Sequence, residues 1–142
     1  MTMRIDKVTR KLSLGFKKVY SLVLDERGLY AIRTGNVGAL QHYQLRDVVN
    51  QALASGITNA FVKELEAGEA RLASTPLDQL AREKGNAFIP LSEIQSVALK
   101  PGKAPQMQLE TGQGNFNFIF THTPAEQVQA LEQALKRRDF TF

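Results

Sequence analysis

The chain lacks cysteine and tryptophan altogether and has only two histidines among 142 residues. Without thiols there is no disulfide framework and no thiolate metal site. His42 and His122 lie far apart in sequence, with no ligand-spaced partner beside either, and both read as surface or capping-region residues. Long apolar runs are missing too: none approaches the roughly 20 residues that a membrane-spanning helix needs. The first residues, MTMRIDKVTRKLSLGFKK, are basic but carry no apolar centre of the kind a secretion signal has, so a cytoplasmic location is the default expectation. No H-E-x-x-H, Walker-type or G-x-S-x-G pattern occurs. Acidic residues are scattered, with Asp25 and Glu26 in a turn and Glu64, Glu66 and Glu69 on what reads as a solvated helix face. The loop Gly35-Asn36-Val37-Gly38 leads out of a strand without a phosphate-binding signature and reads as a turn. These absences argue against an enzyme and supply no residue set for a cofactor or metal.

What is present describes an ordinary globular domain. Hydrophobic residues make up 43% and charged residues 23%, and the length favours one domain over residues 1–142. A chain of this size buries about 70% of the surface it exposes when unfolded. The net charge of +4 is unevenly placed. Arg4, Lys7, Arg10, Lys11, Lys17 and Lys18 face only Asp6 within the first eighteen residues, and Lys136, Arg137 and Arg138 cluster near the other end. Basic ends attract phosphate-rich partners or anionic membrane. The plainer reading is lysines guarding an edge strand against aggregation and cations complementing a helix C-terminus.

Residues 17–25, KKVYSLVLD, are β-branched and aromatic and predict a well-buried strand. Asp25 to Gly28 predicts a turn, and residues 29–33, LYAIR, the returning strand. Residues 7–14 alternate more weakly and predict an edge strand before this hairpin. Leu45, Val48, Val49, Ala52 and Leu53 form one face of a helix stopped near Gly56. Ile57, Phe61, Leu65 and Leu72 predict a second helix, weakened by Gly68. Thr75-Pro76-Leu77-Asp78 opens a short third one, with Gly85 as its stop. Strands resume with AFIPL, residues 87–91, where Pro90 demands an edge or a bulge, and with EIQSVAL, residues 93–99.

The stretch QMQLETGQGNFNFIF, residues 106–120, alternates cleanly. Met107 and Leu109, then Phe116, Phe118 and Phe120, make two apolar strand faces joined by the turn Thr111-Gly112-Gln113-Gly114. Thr123-Pro124-Ala125-Glu126 fits a capping box ahead of a final helix. The stripe of that helix, Val128, Leu131 and Leu135 with Ala134 beside it, is the nearest cover for the phenylalanines. The aromatics therefore read as core rather than as a ligand platform. Strands first and helix last predict an α+β fold, the helix packed on a curved antiparallel sheet.

Two blocks carry a resemblance. VYSLVLDERGLYAIRTG, residues 19–35, is similar to the hairpin of bacterial pleckstrin-homology-like domains. FIPLSEIQSVALKPG, residues 88–102, continues through MQLETGQGNFNFIF into the capped helix in the same manner. The resemblance covers about half the chain and implies a bent, partly open antiparallel barrel of about seven strands, plugged by the C-terminal helix. The chain departs from that pattern over residues 44–85, where a predominantly helical insertion intervenes.

The expected function is a non-catalytic binding module. The first expectation is protein–protein interaction or self-association into a homo-oligomer, with Phe61, Val62 and Leu65 of the insertion as the outward surface. Domains of the resembled kind also bind peptides along a sheet edge. The alternative is peripheral binding to anionic membrane lipid or phosphate through Arg10, Lys11, Lys17 and Lys18, which the resemblance puts on the first strands and their loop. The phosphoinositide pattern of that family is incomplete here, since K-x-x-R-K and K-K lack its spaced arginine. Nucleic acid is disfavoured, because no exposed aromatic-and-basic stacking pattern occurs.

Overall fold

The computed structural model describes residues 2–12, 17–36 and 56–137, the side chains of 36, 56–62 and 137 excepted. Among the described residues there are seven strands: β1 (Met3–Lys11), β2 (Lys17–Leu24), β3 (Gly28–Asn36), β4 (Ala87–Pro90), β5 (Ile94–Lys100), β6 (Gln106–Thr111) and β7 (Gly114–Ile119). Between β3 and β4 lie α1 (Gly56–Ser74) and α2 (Leu77–Ala81), and α3 (Ala125–Arg137) closes the chain. The strands form one antiparallel sheet in the order β4-β3-β2-β1-β7-β6-β5. The expected α+β class therefore holds. The expected edge strand over residues 7–14 does not: β1 is the middle strand, hydrogen-bonded to β2 on one side and β7 on the other. Pro90 does end an outer strand, where a missing N–H costs no ladder bond.

β4 and β5 are opposite margins of the sheet, yet only Leu91–Glu93 joins them. Three residues span about 10 Å at most, so the sheet must curl until its margins approach at that end. Gln113, in the β6–β7 turn, bridges the approach: its Nε2 donates to the Phe88 carbonyl at 2.7 Å and to Glu93 Oε2 at 3.2 Å.

The inner face of the curled sheet holds the main core. Met107, Leu109, Phe116, Phe118 and Phe120 pack there with Val128, Leu131, Ala134 and Leu135 of α3. Period-two strands and a 3.6-period stripe thus meet as the sequence predicts. The capping box does not form. The Thr123 hydroxyl is buried without a hydrogen-bond partner, and the first turn is closed instead by the Pro124 carbonyl, which accepts from the amides of Gln127 and Val128. Nor does Thr75 cap α2, whose N-cap position is held by Pro76.

The outer face is divided. Over β2 and β3 it is covered: Val23, Tyr30 and Ile32 pack with Leu72 of α1 and Leu80 of α2. Gly68 makes the close approach possible, because a Cβ there would lie 2.4 Å from the Thr34 carbonyl oxygen. What reads locally as a weak point in a helix is its contact with the sheet. Over β7, β6 and β5 the outer positions Gln108, Glu110, Ser96 and Ala98 are exposed. The predicted helix across residues 45–53 falls outside the described residues.

The ladder directions follow from two bonds at the β6 margin. The Phe120 amide donates to the Pro105 carbonyl, and the Gly112 amide to the Glu93 carbonyl. Backbone groups alternate sides along an antiparallel strand. Odd-numbered residues of β6 therefore bond toward β7 and even-numbered ones toward β5. Carried through the register, Asn117 bonds toward Lys11, while Ser96, Ala98 and Lys100 bond toward β6.

Candidate functional site

Arg10 lies opposite Lys18 and Lys11 opposite Lys17 at one end of the β1–β2 pair. Four cations thus occupy two successive rungs of interior strands. Like charges directly opposite destabilise a sheet by a few tenths to about 1 kcal/mol each. Edge protection does not account for them, because neither β1 nor β2 is an edge. Since Lys11 bonds toward β7, its rung with Lys17 is of the non-hydrogen-bonded kind, which brings side chains closer.

Adjacent strand residues point to opposite faces, so the rungs differ in kind. Arg10 points inward, in register with the core residues Val8 and Tyr20. Its guanidinium carbon is 4.6 Å from the Phe116 ring centre and 5.2 Å from that of Tyr20, within cation–π range. Its Nη1 donates to the Tyr20 hydroxyl at 3.3 Å, and that hydroxyl donates to the Gly85 carbonyl. Arg10 Nε is buried and unpartnered among the described residues. Lys18 is half-buried on the same face. Lys11 and Lys17 point outward and are exposed, where Lys11 continues across the sheet to Asn117 and Gln108. The structure therefore joins all four residues that the sequence singled out, and it separates a held inner arginine from an exposed lysine pair.

The other expected surface is corrected. Leu65 is 0% exposed, packed over Gly35 of β3. It anchors the insertion to the sheet and is not offered to a partner. The side chains of Phe61 and Val62 lie outside the described residues, as does His42.

A second polar cluster went unread in the sequence. Asp6 and Lys7 together face the single residue Ser21, a bulge at which Lys7 takes a φ of 58°. The extra residue lets both Ile5 and Val8 reach the inner core, which plain alternation forbids. Ser21 Oγ donates to Asp6 Oδ1 at 2.6 Å, and Arg4 Nε lies 2.8 Å from the same oxygen. Lys7 Nζ is 3.2 Å from both carboxylate oxygens of Glu69, and Arg4 Nη2 donates to the Glu69 carbonyl at 3.1 Å. Glu69 is thus not part of a solvated face. Burial pushes its pKa above the ordinary carboxylate value, and the Lys7 ammonium opposes that rise. The cluster fastens α1 to β1, and every member is engaged by another.

Two clefts lie near α2. One, of about 410 Å³, is lined by Tyr30, Asp78, Arg82, Phe88 and Gln113 among others. There Tyr30 donates to Asp78 Oδ1 at 3.2 Å, and burial raises the Tyr30 pKa. The other, of about 240 Å³, includes Arg33, Glu64, Glu83 and Lys84. Each sets cations beside carboxylates, and neither lining includes a histidine or serine that could act as base or nucleophile. Among the described residues no three His, Asp or Glu side chains come together to hold a metal. No described helix is long and apolar enough to cross a membrane.

No family model matches this chain, and no curated protein matches it. A seven-stranded antiparallel sheet capped by a C-terminal helix is compatible with a pleckstrin-homology-like fold.

Proposed function

We propose that the protein is a non-catalytic binding module on a pleckstrin-homology-like scaffold, and that its ligand is an anionic lipid surface. Lys11 and Lys17 meet the phosphates from the outer face, while Arg10 and Lys18 hold positive charge behind them on the inner face. The observation that carries this reading is the pair of like-charge rungs on interior strands. The repulsion within the exposed Lys11–Lys17 rung is relieved when an anion sits across it, and each cation near an anionic leaflet contributes about 1 kcal/mol. The attraction falls with salt.

The test is vesicle flotation with neutral and anionic vesicles, for the wild-type chain and for Lys11→Glu with Lys17→Glu. Binding confined to anionic vesicles and lost in the double variant is expected. Soluble inorganic phosphate separates the two sources of the same chemistry: a site built for free phosphate is emptied by modest amounts, while a membrane-facing site is not. Undiminished flotation of the double variant contradicts the assignment.

A second reading, a protein partner or homo-oligomer, is favoured by one different observation. β5 is an outer strand seven residues long, whereas the opposite margin, β4, has four residues and ends in proline.

A further inference from the structure

We propose that β5 is a self-association edge, pairing antiparallel with β5 of a second copy about a two-fold axis at Ala98. The proposal rests on the protein-partner reading and is independent of the anionic one.

Ser96, Ala98 and Lys100 direct their backbone groups toward β6. Val97 and Leu99 therefore direct theirs to the outer side, where among the described residues the sheet has no further strand. Natural edges are protected by prolines, charges, bulges or short length. β5 has a bulge only at its start, between Ile94 and Ser96, and one charge, Lys100, at its end. The segment between is regular and neutral. Val97 and Leu99 pack only partly buried against the main core, and a further strand would cover them.

The edge complements itself. With Ala98 opposite its own copy, Val97 exchanges backbone bonds with Leu99 of the second chain, so the outward groups are paired in phase. Ser96 then faces Lys100, and the Glu93 end of each strand lies beside the Lys100 and Lys103 end of the other. A parallel partner of the same sequence would set lysine against lysine. At the axis only two small, exposed alanine side chains meet. Ala98 also shares a rung with Gln108, Asn117, Lys11 and Lys17. The pairing extends that rung through both copies, so both exposed lysine pairs lie on one outer face.

The absence of cysteine makes a positional test possible. Facing residues in a non-hydrogen-bonded antiparallel rung have Cα atoms about 4.5 Å apart, within the 4.4–6.8 Å that a disulfide spans. Ala98→Cys is expected to form a disulfide-linked dimer under mild oxidation. Ser96→Cys lies four residues out of register with its own copy and is expected to form no disulfide-linked dimer. Sedimentation equilibrium of the unmodified chain should show reversible dimerisation, abolished by Ala98→Lys, which sets two ammonium groups at the axis. Leu99→Pro, which deletes an outward N–H without touching the β6 ladder, should abolish it as well. A strictly monomeric wild-type chain, or equal cross-linking at positions 96 and 98, overturns the proposal. A monomeric result leaves a different protein partner as the occupant of the edge, and the lysine rungs stand or fall on flotation alone.

Discussion

Gly68 shows how one residue can invert a local expectation. Glycine inside a helix ordinarily costs about 1 kcal/mol relative to alanine, so Gly68→Ala would stabilise α1 taken alone. In the protein the added methyl meets the Thr34 carbonyl oxygen, and its carbon would also lie 2.9 Å from the Thr34 Cα. Backbone cannot yield cheaply, so the variant is expected to lose about 1–3 kcal/mol, the usual cost of overpacking, in urea denaturation. Glu69 supplies a pH-dependent counterpart. Its pKa is raised by burial, so the folded chain holds that proton more tightly than the unfolded one. The stability linked to this group is present below the unfolded carboxylate pKa and is lost as pH rises through the folded value. Glu83 acts in the opposite sense. Its hydrogen bond from Arg71 lowers its pKa, giving stability above the unfolded value that is lost as pH falls through the folded one. The Glu69 side chain should therefore titrate, by NMR, above an ordinary glutamate and above Glu83. A Glu69 midpoint at or below that of Glu83 contradicts the described packing.

At the scale of elements, α1 and α3 hold the two faces of the sheet through different residues. Phe118 and Leu65 are both fully buried. Phe118→Ala is expected to cost about 3–5 kcal/mol and Leu65→Ala about 2–5, measured by the same denaturation. If Leu65→Ala leaves stability unchanged while altering association, the outward reading of that residue is restored. The second hairpin and α3 were legible in the sequence because each presents one apolar face, and period alone then decides which side is covered. The central place of β1 was not legible, because its pairing with β7 joins residues more than a hundred positions apart. The stripe containing Leu65 marks that residue as apolar without saying whether sheet or solvent lies beyond it. Thr123 has the right spacing for a cap, but the Pro124 carbonyl organises that turn instead. The bulge at Asp6 and Lys7 left no local signal, since its partner Glu69 lies in the insertion.

At the scale of the molecule, the curled sheet divides the work. Its inner face is closed by α3, half of its outer face by the insertion, and the remaining outer face carries the exposed lysines. The four cations were legible as a charge cluster, but their arrangement as two facing rungs required the register of interior strands. The measurement that tests this account most directly is an amide chemical-shift map during titration with a soluble short-chain anionic lipid. The account predicts perturbations centred on Arg10, Lys11, Lys17 and Lys18, reaching Asn117 and suppressed by salt. Perturbations centred on the clefts beside α2, or none along β1 and β2 even at low salt, would contradict it.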